Sequence, residues 1–402
     1  MDILMLSDVY FPRVNGVSTS IRTFARSLLR MGHRVTLVAP DYGDSATATV
    51  PDDSGLEVIR LPSRVIFFDP EDRLIHARAM RQAVDRLASR PWDVIHVHTP
   101  FRAHTLGVRL ARRTGCPLVE TYHTYFEEYV GHYLPWLPTA ITRRLARAVS
   151  RRLYHEVDHL IVPSAEMVGV LARYGIRTPH SVIPTGLELA EFHGGDGARF
   201  RRRHGIDPGR PTLVTVSRLA VEKNIGFLLA VVARLVAEFP TLLFLVAGEG
   251  PDASRLRARV EQLGLRANVR FFGNLDRERE LLDAYRAGDA FVFASPTETQ
   301  GLVLLEAMAL GVPIVSTAVM GTATVLAGAG SALVSEEEVD AFADSVARVL
   351  RSPELRAALA DAGPRDARRW STEALMGQVV ALYRSLADAT DSAAMPALDH
   401  PR

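Results

Sequence analysis

The sequence lacks most of what would mark a secreted, membrane-spanning or metal-held protein. A single cysteine, Cys116, rules out an internal disulfide framework. Its setting, Thr-Gly-Cys-Pro-Leu, suits a small residue entering a buried strand, so the thiol reads as structural. No run approaches the ~20 apolar residues that a membrane helix needs. The opening Asp2-Ile3-Leu4-Met5-Leu6-Ser7 is too brief an apolar run for a signal peptide and reads as a first strand. Formal net charge is only +1, which gives no chain-wide field to attract a nucleic acid. These absences predict a cytoplasmic protein, peripheral at most on the inner face of the cell membrane. No Asp-x-Asp triplet occurs to hold a divalent cation, and Asp69-Pro70-Glu71-Asp72 reads as a solvated loop. No metal ligand and no cofactor is therefore assigned. A dinucleotide fingerprint, Gly-x-Gly-x-x-Gly after a strand, is also missing.

What the sequence does have is size and a repeated grammar. Its 402 residues exceed what one core usually organises, and 48% hydrophobic with 23% charged residues is ordinary globular composition. Short apolar runs at 3–7, 35–39, 56–61, 94–98, 118–123 and 160–163 read as buried strands of a parallel sheet. Between the first two, Ile21, Phe24, Leu28 and Leu29 recur at helical spacing and Gly32 stands where a C-terminal cap belongs. The grammar restarts in the second half, with strands expected at 213–217, 242–247, 269–272, 290–294 and 313–316. The expectation is an α/β protein of two Rossmann-like doubly wound domains, 1–187 and 188–370, facing across a cleft that holds the ligand. A final helix over 371–388 is expected to pack back on the first domain, and 389–402 to be disordered.

Four constellations can carry chemistry. Ser-Pro-Thr-Glu-Thr-Gln-Gly-Leu-Val-Leu-Leu-Glu, 295–306, follows a strand, which puts Glu298 in a strand-to-helix loop. Gly301 then opens a helix whose first N–H groups, at Gly301 and Leu302, suit an anionic oxygen. Glu306 lies among apolar neighbours, where a carboxylate is costly without donors such as sugar hydroxyls. The plainer alternative makes Glu298 a helix-dipole partner and Glu306 a satisfied core acid. Arg218 and Lys223 follow the first strand of the second half. A cation there, at a helix start, opposes the dipole unless an anion is bound, and the pair suits a diphosphate. Asn15-Gly16 joins the first strand to the first helix, and Gly16 lets backbone approach a phosphate. His123, at a strand's carboxyl end, stands where ligands of such sheets bind and can hydrogen-bond one. His96, His98 and His104 lie near strand ends too and are further candidates for acceptor binding.

Glu298 and Glu306, with Thr-Glu-Thr-Gln-Gly-Leu around the first, resemble the E-x7-E motif of retaining GT-B glycosyltransferases of family 4. The resemblance implies that Glu298 binds donor hexose hydroxyls, Gly301 and Leu302 offer N–H groups, and Glu306 holds the nucleotide ribose. It also implies that Arg218 and Lys223 neutralise the leaving diphosphate, Gly16 faces the β-phosphate, and His123 touches the donor sugar. Family members often have two glycines where this chain has Asn15-Gly16. The stretch from His123 to Pro135 further resembles bacterial diacylglycerol glucosyltransferases, whose relatives include GDP-mannose-dependent enzymes. The implied reaction is metal-independent transfer of a hexose from UDP-glucose or GDP-mannose to a lipid or other hydroxyl. A GT-B nucleotide-sugar epimerase, a mannosyltransferase of soluble or polysaccharide acceptors, and a silent nucleotide-sugar binder are the competing readings.

Over 135–154, Leu137, Ile141, Leu145, Val149 and Leu153 recur at every fourth position. Trp136, Arg143, Arg144, Arg147, Arg151 and Arg152 accompany them. This is a basic amphipathic helix suited to an anionic bilayer. It equally fits a domain helix whose apolar stripe is core and whose arginines face solvent.

Overall fold

The computed structural model describes residues 1–43, 55–66, 69–123, 139–276 and 280–394. Its contacts divide the chain into Met1–Gly186 with Thr372–Arg402, and Leu187–Ser371.

The first unit contains β1 (Asp2–Leu6), α1 (Gly16–Arg30), β2 (Arg34–Pro40), β3 (Glu57–Leu61), β4 (Ser63–Ile66) and β5 (Asp69–Ile75). It continues with α2 (Ala77–Leu87), β6 (Val94–Val97), α3 (Arg102–Thr114), β7 (Leu118–Thr121), α4 (Thr139–Tyr154), β8 (His159–Val162), α5 (Ala165–Tyr174) and β9 (His180–Val182). Seven strands form one sheet in the order β3-β2-β1-β6-β7-β8-β9. Every pairing in it is parallel. Ile3, Leu4, Met5 and Leu6 are fully buried on both faces of β1, which is why the strand reads as an unbroken apolar run.

The second unit runs through α6 (Gly197–Arg203), β10 (Thr212–Val216), α7 (Ile225–Leu235), β11 (Leu243–Ala247), α8 (Ala253–Gln262) and β12 (Val269–Gly273). After these come α9 (Glu280–Ala287), β13 (Ala290–Phe293), α10 (Leu302–Ala309), β14 (Ile314–Ser316), α11 (Gly321–Leu326), β15 (Ala332–Val334), α12 (Val339–Arg351) and α13 (Pro353–Ala367). Its six strands are ordered β12-β11-β10-β13-β14-β15, again all parallel. In both sheets the order reverses beside the unit's first strand, between β1 and β6 and between β10 and β13. Loops leaving the carboxyl ends of those strand pairs diverge, and ligands of open α/β sheets bind there.

The last helix, α14 (Thr372–Ala394), belongs to the first unit. Met376, Val379, Val380 and Tyr383 pack with Ile21, Phe24 and Leu28 of α1 in one buried cluster. The disorder expected for 389–402 does not begin at 389, because the helix carries on to Ala394. Ala387, Ala389, Ala393 and Ala394 are strong helix formers, and the alanine-rich composition that suggested disorder also propagates a helix already started. Residues 395–402 lie outside the described residues.

Asp69-Pro70-Glu71-Asp72 is a strand, not a solvated loop: it opens β5, which pairs antiparallel with β4. Asp72 accepts a hydrogen bond from Arg13 at 3.2 Å, which ties the hairpin to the loop after β1. Cys116 is buried, its thiol donating to the Trp92 carbonyl at 3.1 Å, and burial pushes the thiol up to about 12.

Candidate functional site

In the second unit, the loops that leave β10 and β13 are stitched together at the point where strand order reverses. Ser295 Oγ donates to the Glu222 carbonyl at 2.9 Å, and Asn224 Nδ2 donates to the Ala294 carbonyl at 3.3 Å. Between these contacts Lys223 Nζ donates to Glu298 Oε1. Two of the four constellations singled out for chemistry are thus in direct contact. Both side chains keep partial access to solvent, 21% for Lys223 and 16% for Glu298, so neither is sealed into the core.

Lys223 does not itself begin a helix. It closes a 3-10 turn, Val221–Lys223, and Asn224 takes a left-handed φ of 55° before α7 starts at Ile225. Asparagine tolerates that conformation better than other residues with a Cβ. Lys223 is also the only lysine in the chain, among 47 basic residues. Every other position in the Lys+Arg count is arginine; here the cation is a compact, rotatable ammonium, a point charge and not a planar fork. Counting lysines in the sequence would have flagged it.

Arg218 leaves β10 in a segment braced by two glycines. A Cβ on Gly248 would lie 1.9 Å from the Ser217 carbonyl oxygen, and one on Gly250 would lie 2.3 Å from that of Leu219. Leu219 N–H donates to the Glu249 carbonyl at 2.8 Å, and Asp252 N–H to the Leu219 carbonyl at 2.9 Å. The Gly248-Glu249-Gly250 strap therefore fixes the backbone that carries Arg218. Sequence reading passed over it.

Gly301 sits at the N-cap of α10 with φ 86°, and no side chain caps the helix. The N–H groups at its start lie outside the intrahelical ladder. Leu302 is the first helical residue. The Glu298 carbonyl is held by Gly321 N–H at 2.8 Å, and a Cβ on Gly321 would sit 2.0 Å from the Thr299 carbonyl oxygen, so the loop is fixed from α11 as well. Glu306 is 2% exposed and accepts from the Tyr285 hydroxyl at 2.7 Å. The Tyr285 hydroxyl is thus a donor that the protein itself supplies to that buried carboxylate.

In the first unit, Gly16 is the first residue of α1, and Asn15 caps the helix by accepting from Ser18 N–H at 2.8 Å. Nothing lies within 4 Å of where a Cβ on Gly16 would be, so the fold alone does not require glycine there. Beside this loop, Asp8 is buried and accepts from Thr99 Oγ1 at 2.8 Å and from the N–H groups of Arg102 and Ala103 at 3.1 and 3.0 Å. It joins the loop after β1 to the start of α3. Burial pushes its carboxyl up to about 6 against the pull of those donors.

The four histidines divide. His96 is fully buried and spends both ring nitrogens internally, on the Tyr383 hydroxyl at 2.5 Å and Thr121 Oγ1 at 2.7 Å. His104 is buried against Glu120 at 2.7 Å. Neither is presented to an acceptor, which corrects the expectation for those two: both rings are committed to polar partners inside the unit. His123 lies just past β7, partly exposed, with Nε2 3.3 Å from His98 Nδ1, and burial holds its imidazole down at about 4.

Helix α4 buries its small and polar side and leaves much of its aliphatic stripe exposed. Its buried face is Thr142, Ala146, Ser150 and Tyr154, while Ile141, Leu145 and Val149 are exposed at 53%, 44% and 38%. Arg144, Arg151 and Arg152 are exposed with them. Arg147, expected on the same surface, instead places its guanidinium over the Tyr174 ring at 5.8 Å and is part of the packing with α5. Trp136 and the Arg143 side chain lie outside the described residues. No helix among the described residues is long and apolar enough to cross a membrane.

The fold has many solved counterparts. Sucrose-phosphate synthase from Thermosynechococcus elongatus superposes with a TM-score of 0.80 at 22% identity, covering 97% of this chain and 100% of that one. Anabaena HepE in complex with UDP-glucose gives 0.77 at 18% identity, covering 96% of this chain and all of that one. Two Rossmann-like domains, each with a parallel sheet, define the GT-B class of glycosyltransferase. Residues 14–191 match Glycosyltransferase Family 4, and residues 196–366 match Glycosyl transferases group 1. The alpha-monoglucosyldiacylglycerol synthase of Streptococcus pneumoniae is 35% identical over 321 residues, 79% of this chain and 71% of that protein. A GDP-mannose-dependent alpha-mannosyltransferase of Mycobacterium tuberculosis is 27% identical over 314 residues, 78% of each chain. The chain belongs to this glycosyltransferase family and is a glycosyltransferase that takes its sugar from a nucleotide sugar.

Proposed function

We propose that the protein is a retaining hexosyltransferase that moves glucose from a nucleoside diphosphate to a hydroxyl of diacylglycerol or a related membrane glycolipid. The observation that carries this reading is the contact between Lys223 and Glu298 where the second sheet reverses its strand order. In that contact the cation and the acid satisfy each other. The donor replaces that contact, giving phosphate oxygens to Lys223 and sugar hydroxyls to Glu298. Arg218 and the N–H groups of Gly301 and Leu302 complete the diphosphate cradle, and the family resemblance assigns the β-phosphate to Gly16. Glu306, oriented by Tyr285, holds the ribose, and His123 touches the hexose.

The chemistry is departure of the nucleoside diphosphate assisted by fixed positive charge. The bond from the anomeric carbon to the β-phosphate oxygen breaks, and one to the acceptor oxygen forms on the same face. The acceptor proton passes to a β-phosphate oxygen. On this reading side chains and peptide dipoles carry the diphosphate charge, and the rate in excess EDTA equals the rate with magnesium. A chelator-sensitive rate would remove that part of the reading.

The exposed Ile141-Leu145-Val149 stripe, with Arg144, Arg151 and Arg152 beside it, supports docking on an anionic bilayer, where a lipid acceptor resides. The names of the Streptococcus relative and of the Acholeplasma laidlawii relative, 28% identical over 327 residues, support glucose and diacylglycerol.

The test is turnover with radiolabelled UDP-glucose or GDP-mannose, with and without vesicles containing diacylglycerol. Glucolipid of α configuration is expected from UDP-glucose; mannolipid would transfer the reading to the mannosyltransferases, and epimerised donor would end it. Because the chain has one lysine, amine-selective reductive methylation reports on Lys223 and the N-terminus alone. UDP is expected to protect Lys223 and leave the N-terminus reactive. Equal modification with and without UDP would remove Lys223 from the site.

A further inference from the structure

Three imidazoles, His96, His98 and His123, lie in file along the carboxyl ends of β6 and β7, and their hydrogen bonds restrict where each proton can be. The centroids of His96 and His98 are 4.0 Å apart, and those of His98 and His123 are 5.6 Å apart in a stacked arrangement. At one end Tyr383, from α14, sets the first ring. Its hydroxyl is fully buried with His96 Nδ1 as its acceptor at 2.5 Å, so the proton of His96 sits on Nε2, facing Thr121 Oγ1. The reverse arrangement would leave the phenolic proton without an acceptor.

The second ring is the informative one. His98 is fully buried, and among the described residues its Nε2 has no hydrogen-bond partner. Its Nδ1 is 3.3 Å from His123 Nε2. Two assignments satisfy that contact. If His123 donated, the proton of His98 would be on Nε2, a buried N–H with nothing to receive it. If His98 donates from Nδ1, only a lone pair is left at Nε2, and orphaned buried N–H groups are rarer than under-satisfied acceptors. Burial, reinforced by the neighbouring imidazoles, keeps the His98 ring neutral, so it cannot donate from both nitrogens.

We propose that His98 is a positioning residue for His123: by donating from Nδ1 to His123 Nε2 it fixes His123 as the Nδ1–H tautomer, a hydrogen-bond donor toward a ligand oxygen. His123 makes no other ring hydrogen bond among the described residues, so Nδ1 is the nitrogen left for a ligand. A site that presents N–H there selects an oxygen acceptor, such as a hydroxyl lone pair of the donor hexose, and disfavours a ligand group that can only donate. The choice of sugar as ligand rests on the reading above; the tautomer does not.

The experiment is a long-range proton–nitrogen correlation spectrum of the full-length protein with nitrogen-15 histidine, which distinguishes protonated from bare ring nitrogens. His123→Gln assigns the His123 signals by their loss. The expected spectrum has protons on Nδ1 of both His98 and His123 and on Nε2 of His96. A proton on His123 Nε2 in the wild-type protein would overturn the proposal without any variant of His98 having to fold. In His98→Phe the His123 signals should move to exchange between two tautomers. His98→Asn, whose amide can put an N–H near the same place, should restore the single form. The same pair should split in kinetics, with His98→Phe raising KM for the nucleotide sugar about tenfold, the scale of one lost hydrogen bond, and His98→Asn recovering most of it. A fixed Nδ1–H tautomer together with unchanged kinetics in His123→Gln would uphold the positioning role and defeat the placement of the hexose.

Discussion

Lys223 and Glu298, 75 residues apart in sequence, meet as a cation and an acid between the loops that leave two adjacent parallel strands. Both remain partly open to solvent, so neither side chain is part of the sealed core and the pair can be altered with little cost to the fold.

A partly exposed ion pair contributes only about 0–1 kcal/mol to stability. Lys223→Ala and Glu298→Ala are therefore expected to melt within a few degrees of the wild type while turnover falls at least ~100-fold, the scale of losing one transition-state contact. The double variant should lose less than the product of the single losses, because either change already disables the same cradle. Near-normal rates in both single variants would defeat the assignment.

Tyr285→Phe deletes the hydroxyl that serves the buried Glu306 carboxylate. Removing a donor from a buried acid costs roughly 1–3 kcal/mol, so the chemical-denaturation midpoint should fall. If Glu306 holds the ribose, the same variant should also raise KM for the nucleotide sugar more than it lowers kcat. A stability loss with unchanged KM would mark Glu306 as a core acid only.

Replacing Ile141, Leu145 and Val149 by serine should weaken sedimentation with anionic vesicles while leaving the melting temperature within a degree or two, because these side chains are already exposed. Arg144→Ala with Arg151→Ala should weaken vesicle binding further and reduce its sensitivity to salt. Arg147→Ala should behave differently, costing stability through the lost contact with Tyr174. Vesicle binding that survives the triple serine variant would assign the stripe to some other role.

The buried His104–Glu120 pair gives the first unit a pH dependence whose sign is fixed. Burial alone would lower the His104 imidazole, but the Glu120 and Glu156 carboxylates more than offset it and hold it above its ordinary value of 6.5. Its stabilisation is fully present below that value and is lost as pH rises through the higher folded value. Glu120 is raised by burial despite its histidine, so it too disfavours the alkaline side. Melting temperature should fall as pH rises above about 6.5, and His104→Gln should flatten that fall while lowering stability at pH 6 by roughly 3–5 kcal/mol. An equal slope in the variant would assign the dependence to other groups.

Most of the architecture was legible because buried parallel strands are continuous apolar runs, as β1, β8 and β11 show. Where strands are short or polar the signal fails. β9 and β15 have three residues each, and the β4–β5 hairpin contains Pro70 and four charged residues in Asp69–Ile75. The apolar stripe of α4 was visible as a period, but a period does not say which way it faces. Small residues at Ala146 and Ser150 let that side of the helix approach the body of the unit, leaving the larger side chains outside. In the second unit, Glu298, Gly301 and Lys223 were found by their places after strands. Their mutual contact, and the Gly248-Glu249-Gly250 strap beneath Arg218, depend on backbone approaches that no single-sequence pattern spells out.

The chain leaves its first unit once and comes back once, and both passages occur at one place: Leu187 bridges Ser371, and a Cβ on Gly186 would lie 2.5 Å from the Thr372 Cα. Topologically, Leu187–Ser371 is a cassette inserted between neighbouring positions of its host. A ribosome making this protein can finish the cassette before the host, because the partner of His96 is a tyrosine 287 residues downstream. A stop codon just before Thr372 would thus injure the half of the molecule that was translated first.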